Sequence, residues 1–203
     1  MEKVYFCLIK PNLYIIAGCN GAGKTTASNT ILPELLNCFE FVNADNIAKG
    51  LSPFNVEKVA FEAGRIMLTR IDELLKQKID FAIETTLSSK TYISLIHEAK
   101  EKGYYVKMLY VWLESAEVAV GRVASRVENG GHNIPEDIIR RRYKRGLNNL
   151  FQNYIPIVDS WTIINNTNVF FDRIAHGENS FVQNIENNYL WDLLNSLYNG
   201  SSK

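Results

Sequence analysis

The sequence predicts an α/β domain built on a parallel five-stranded sheet with helices on both faces. Three observations carry this. Short apolar runs alternate with helical patterns along the chain, most of those runs are apolar on both sides, and a glycine-rich turn joins the first run to the first helix. Two-sided apolar strands need cover on both faces, and strand–helix alternation supplies it through right-handed crossovers.

The strands are read from "LYIIAG" (13–18), "FEFVNA" (39–44), "DFAIET" (80–85), "YVKMLYVWL" (105–113) and "SWTIINNT" (160–167). A first helix over 24–37 follows the glycine turn. A second, over 56–77, sets Val56, Val59, Ala60, Ala63, Met67, Ile71, Leu74 and Leu75 at three-to-four spacing. Helices over 90–102 and 116–128 follow the third and fourth strands. Pro135, Glu136 and Asp137 make a good first turn for a helix running to about Phe151. A last amphipathic helix is expected over 182–198, so residues 1–198 are read as one domain and "NGSSK" (199–203) as a frayed tail.

A chain of 203 residues suits one well-packed domain, and 46% hydrophobic with 22% charged residues excludes a disordered or collagen-like chain. Zero formal net charge argues against a protein that coats nucleic acid, so no nucleic-acid partner is expected. No apolar run reaches membrane-spanning length, and "VYFCLI" is too short for a signal-peptide core, so no membrane association and a cytoplasmic location are expected. Cys7, Cys19 and Cys38 lack metal-ligand spacing and read as free thiols of a reducing compartment.

The stretch "GCNGAGKTT" fits G-x-x-x-x-G-K-[ST] directly after a strand and before a helix, which marks a P-loop NTPase core. Glycines let backbone N–H groups converge on phosphate oxygens, and the helix N-terminus adds partial positive charge. Gly18, Asn20, Gly21, Ala22, Gly23, Lys24, Thr25 and Thr26 are therefore the expected nucleotide contacts. Lys24 is expected to reach the β- and γ-phosphates and the Thr25 hydroxyl to ligate Mg²⁺. Cys19 beside that helix N-terminus is either an acidified thiol or a small side chain tolerated at a variable position, and the second reading is favoured.

Two acids close the ends of strands. Asp45 follows the second strand and Glu84 ends the third, and in open parallel sheets ligands sit at these carboxyl ends. Asp45 reads as the acceptor of a substrate hydroxyl proton, or as the N-cap of "NIAKG", which does not exclude catalysis. Glu84 reads as a positioning acid, a magnesium contact or a solvated strand end. Asp172 lies beyond the last parallel strand. A carboxylate at the acceptor repels a nucleoside monophosphate, so a small-molecule hydroxyl acceptor is expected.

Arg122 and Arg126 share a helix face, and "ENGGHNIPED" with Gly130-Gly131 offers a flexible joint before "RRRYKR" (140–145). Arg126 and Arg142 are expected to act from a helical lid, because charge on a transferred phosphoryl group needs cations as the site closes. The remaining arginines of the cluster read as solvated. His132 is either a phosphate contact or exposed, and His97 and His176 read as structural or solvated.

The ordered series "GCNGAGKTT", "NAD", "IETTLSS", "KGYYVKMLYVWL", Arg126 and "GGHNIPEDIIRRRYKRGLNNL" resembles the zeta toxin family of P-loop kinases, most closely its chromosomal zeta-like branch, over about residues 12–165. The resemblance implies an NMP-kinase-like core that uses ATP and Mg²⁺ to phosphorylate the sugar 3′-hydroxyl of UDP-N-acetylglucosamine or a related UDP-sugar. It makes Lys24 and Thr25 the P-loop lysine and hydroxyl, Asp45 the general base, Glu84 the acid that supports the substrate site and Arg126 the first phosphate-contacting arginine. His132 stands where the plasmid toxins carry a second arginine, so that role falls to Arg140, Arg141 or Arg142, or is weakened. A protein antitoxin is the partner the resemblance implies, with no antitoxin domain fused to the core. Arg65, on the helix after Asp45, is either a contact for the UDP phosphates or a solvated helix-face residue. A metabolic kinase without toxin role and an ATP-binding switch module remain alternative readings.

Overall fold

The computed structural model describes residues 10–131, 133–168 and 171–200. Strand β1, Asn12–Ala17, is buried at every position after Asn12. It pairs in parallel with β3, Phe81–Thr85, on one side and β4, Tyr105–Trp112, on the other, with Leu13 opposite both Phe81 and Val106. Strand β2, Phe41–Val42, adds beside β3, and β5, Ser160–Asn165, beside β4. The five expected strands thus form the parallel order β2-β3-β1-β4-β5. The chain leaves β1 first toward β2 and β3 and later toward β4 and β5, and this reversal opens the crevice at the end of β1.

Two strands were not foreseen. Strands β6, Asp172–Glu178, and β7, Phe181–Ile185, extend the sheet antiparallel beyond β5. The expected helix from 182 therefore begins only at Asn188, as α7, Asn188–Gly200. The local reason lies in two asparagines. Asn179 takes the left-handed conformation (φ 49°) that lets β6 turn back into β7. Asn187 accepts the Leu190 N–H at 3.0 Å and so starts the helix six residues late. Asn199 and Gly200, expected in the tail, fall within α7; residues 201–203 of that tail and Cys7 lie outside the described residues.

Helix α1, Lys24–Thr30, passes into a π-type turn, Ile31–Leu35, where Pro33 has no N–H to give and Leu36 N bonds Ile31 O at 3.1 Å. Helix α2 spans Ala44–Leu51. A short 3₁₀ turn, Val56–Val59, then leads into α3, Ala60–Gln77, which buries Ala63, Met67, Ile71, Leu74 and Leu75. Val56, Val59 and Ala60, expected on that stripe, stay out of the core. Helices α4, Tyr92–Glu101, and α5, Ala116–Glu128, follow β3 and β4, and the Ser115 hydroxyl accepts the Val118 N–H at 3.2 Å to start α5. Helix α6, Glu136–Asn149, continues into a second π-type turn, Leu150–Tyr154.

Leu13, Ile15 and Ala17 face the larger core with α3, α4, α7 and the end of α6. Tyr14 and Ile16 face the other side, against Leu32 and Cys38, while Val111 and Leu113 meet Ala119 and Val123 of α5. Helix α6 approaches the sheet through Gly146, where a Cβ would stand 2.6 Å from the Thr86 carbonyl oxygen. We expect Gly146→Ala to destabilise the fold by about 1–3 kcal/mol through this overpacking. Gly64, inside α3 with open space around it, is the contrast: Gly64→Ala should stabilise by about 0.5–1 kcal/mol. Urea unfolding of the two variants checks both signs.

Candidate active site

The turn between β1 and α1 can only be built from glycine at its two ends. Gly18 has φ +143°, and a Cβ there would collide with the Val111 carbonyl; Gly23 has φ +84° and faces the Asn166 amide. Asn166 Nδ2 donates to Ala22 O at 2.7 Å, so the end of β5 fastens the loop from behind. The result is a fixed backbone cradle at the N-terminus of α1, of the size and polarity a polyphosphate chain needs.

Lys24 is buried to 7% exposure, and its ammonium donates to Cys19 O at 3.0 Å, folded back over the cradle. It also stands 3.6 Å from Glu84 Oε1. The Thr25 hydroxyl donates to Glu84 Oε2 at 2.8 Å. The same oxygen accepts Asn43 Nδ2 at 2.8 Å. Glu84, at the end of β3, therefore gathers three donors from α1 and the end of β2. The solvated-strand-end reading of Glu84 is corrected: the carboxylate is only 11% exposed and fully engaged.

Thr25 and Glu84 present two hard oxygens side by side, which suits Mg²⁺. Among the described residues no group of three His, Cys, Asp or Glu side chains could cage a metal alone. A magnesium ion here would complete its shell with phosphate oxygens and water, as that ion prefers. The residues therefore fit a metal that arrives with its nucleotide.

Asp45 lies in the first turn of α2 and is exposed. It is not the cap: Asn43 is, its Oδ1 accepting Asp45 N at 2.8 Å and Asn46 N at 3.2 Å. The N-cap reading of Asp45 is thus replaced, because only Asn43 has the extended backbone that precedes a helix. Asp45 sits between two cavities. One, of about 280 Å³, is lined by Lys24, Thr25, Glu84, Arg122 and Arg126. The other, of about 370 Å³, is lined by Arg141 and Arg142 with the apolar side chains of Ala48, Ile134 and Ile138. Among the described residues Asp45 alone lines both.

The arginines separate cleanly. Arg126 lines the cradle-side cavity, and Arg142 Nη1 reaches the P-loop at Asn20 Oδ1, 3.2 Å away. Arg140 turns outward to Glu136 and Glu117, and exposed Arg145 lines neither cavity. Arg141, expected among the purely solvated residues, is exposed but lines the second cavity beside Asp45. Arg65 lines a different cleft with Glu62 and Glu73 on the outer side of α3, so the contact reading for it is dropped. His132 lies outside the described residues. His97 is exposed, and His176 meets Glu186 at 2.8 Å far along the sheet.

Burial, only partly opposed by the Lys24 charge, pushes the Cys19 thiol up to about 11, which makes it an inert packing group. Three neighbours escaped the sequence reading as site residues: Asn43, Asn166 and Arg122, whose Nη2 donates to Thr167 O at 3.0 Å. Of these, Asn43 carried a signal in its cap position one residue before the first turn of α2, and Arg122 in the helix face it shares with Arg126.

This geometry separates two arginines two positions apart. Arg142→Ala should lower ATP turnover about tenfold or more by freeing the P-loop asparagine and removing a cation, whereas Arg140→Ala should leave it within about twofold. Lys24→Ala should cost about 10²–10³-fold. Steady-state ADP release by the folded variants measures all three, and equal losses at Arg140 and Arg142 would deny Arg142 a specific contact.

The sequence profile of the zeta toxin family matches residues 3–174. An uncharacterized protein of Haemophilus influenzae is 34% identical over 128 residues, covering 62% of this chain and 88% of that one. Among solved structures, AvrRxo1-ORF1, crystallised with AvrRxo1-ORF2 and ATP, superposes with a TM-score of 0.73 at 19% identity over 93% of this chain. This chain spans 64% of that longer one. The PezAT chromosomal toxin–antitoxin system of Streptococcus pneumoniae gives a TM-score of 0.69 at 18% identity, over 95% of this chain and 80% of that one. The structural likenesses carry the fold, the profile carries the kinship, and on that ground this chain belongs to the zeta toxin family of P-loop phosphotransferases.

Proposed function

We propose that this protein transfers the γ-phosphoryl group of ATP to a hydroxyl of a small-molecule acceptor, the sugar 3′-hydroxyl of UDP-N-acetylglucosamine or a related UDP-sugar. One observation carries the reading: a carboxylate, Asp45, is the one described residue that lines both the phosphate cradle and a second, arginine-lined cavity. A hydroxyl held in the second cavity would present its proton to Asp45 and its oxygen to the phosphate chain.

In this mechanism Lys24 leaves Cys19 O to span the β- and γ-phosphates. Gly18 to Gly23 with Asn20, Ala22 and Thr26 wrap the nucleotide. Magnesium, when bound, neutralises charge on the phosphate oxygens, and Thr25 with Glu84 would hold it. Asp45 removes the acceptor proton as the new P–O bond forms and the bond from the γ-phosphorus to the β–γ bridging oxygen breaks, with ADP as the leaving group. Arg126 and Arg142 meet the charge that spreads over the equatorial oxygens. Arg141, beside Asp45, takes the place once considered for Arg65 and meets the acceptor's own phosphates. The single catalytic domain, residues 1–198, acts in the cytoplasm and is held in check by a separate protein antitoxin, a partner supported by the complexes in which PezAT and AvrRxo1-ORF1 were solved.

Asp45→Asn should leave ATP affinity within about threefold and lower transfer about 10²-fold or more, because the amide keeps the shape and loses the proton acceptor. Arg141→Ala should raise the acceptor KM about tenfold with ATP KM unchanged, while Arg65→Ala changes neither. Mass spectrometry of parallel reactions with UDP-N-acetylglucosamine and with AMP identifies the product. Phosphorylation of AMP with the UDP-sugar untouched would overturn the proposal.

A further inference from the structure

Asn43 is 5% exposed and ends the short strand β2, where it uses both halves of its amide at once. Its oxygen accepts the N–H groups of Asp45 and Asn46, at 2.8 and 3.2 Å. Its nitrogen donates to Glu84 Oε2 at 2.8 Å. The orientation is dictated by chemistry: the flipped amide would set its N–H₂ against two backbone donors and its oxygen against a carboxylate. Few side chains meet this demand. An ionised aspartate can cap but cannot donate, and a serine is too short to span from the helix end to β3.

The contact matters because of what else Glu84 holds. Without nucleotide, its two oxygens are shared among Lys24, Thr25 and Asn43. A polyphosphate in the cradle draws the Lys24 ammonium and the Thr25 hydroxyl toward itself, which leaves Asn43 as the carboxylate's standing donor from β2. The backbone held at the other end of the same amide is that of Asp45.

We propose that Asn43 is a positioning residue that ties the placement of Asp45 to Glu84 at the phosphate cradle, so that the proton acceptor is set by the same carboxylate that serves the nucleotide. The inference rests on the reading of Asp45 as the proton acceptor. It assigns to a neutral, buried side chain the alignment of two cavities that, among the described residues, share Asp45 alone. Loss of the link should therefore reduce turnover without reducing nucleotide affinity.

Two variants test it. Asn43→Ser keeps a good cap but loses the reach to Glu84. Asn43→Thr likewise keeps the cap and likewise falls short of Glu84, with no charge added beside that carboxylate.

ATP affinity by calorimetry with Mg²⁺ present should change less than about threefold in Asn43→Ser. Transfer to UDP-N-acetylglucosamine should fall about 10- to 100-fold through kcat. Asn43→Thr should lose turnover to a similar degree. If Asn43 were only a cap, both variants would keep the kcat of the unaltered protein; that result, or equal losses of affinity and turnover, overturns the inference. Should the unaltered protein leave the UDP-sugar untouched, the acceptor reading fails by itself, and the same comparisons are made on ADP release to water. Melting curves confirm that each variant is folded, and either variant alone suffices if the other is not.

Discussion

The site is organised around one carboxylate. Glu84 ends β3, between the strand that carries the P-loop and the strand that carries Asn43, and three donors from those two directions converge on it. A carboxylate at 11% exposure is tolerable only when its oxygens are occupied, and here the ammonium of Lys24 also balances its charge. The same satisfaction draws α1 and the start of α2 toward one point. Removing the carboxylate would leave the Thr25 hydroxyl and the Asn43 amide without their acceptor and the buried Lys24 ammonium without its counter-charge, so the cradle and the helix bearing Asp45 depend on it together.

Around that centre the fold assigns rigidity and access to different elements. The P-loop is backed by Val111 of β4, which leaves no room for a side chain at Gly18, and by Asn166 after β5. Arg122 fastens α5 to the same post-β5 loop through Thr167. The walls that can admit an acceptor come instead from α2, α6 and the segment before α6, where burial is lighter. Arg142 crosses from α6 to Asn20 and links the two sides. A rigid cradle with a looser opposite wall is the arrangement that a closing kinase site requires.

The antiparallel extension serves the sheet and lies away from the chemistry. Strand β6 covers the edge that β5 would otherwise present, and α7 packs beneath it, with Trp161 of β5 and Trp191 of α7 stacked 6.3 Å apart. Phe151, in the turn after α6, meets Trp191 edge-on and Tyr198 in a tilted stack. These rings hold the C-terminal helix against the sheet on the face opposite the P-loop helix.

The order of amino acids by itself determined the five parallel strands, the P-loop and the presence of acids at two strand ends, because strand burial on two faces and a phosphate-binding turn are local patterns. It was equally clear about α5, whose serine cap and apolar period lie within a few residues of each other. It misread residues 182–185 as helix, since a short exposed strand has no period of its own and exists only through pairing with β6. The sorting of arginines lay beyond it as well. Arg140, Arg141 and Arg142 are adjacent in the chain, and only the packing of α6 against β3 and the P-loop turns one outward to glutamates, one into the second cavity and one onto Asn20. Asn43 shows the same limit: its cap role is local yet was read onto Asp45, and its bond to Glu84 spans 41 residues and was decided by the pairing of β2 with β3.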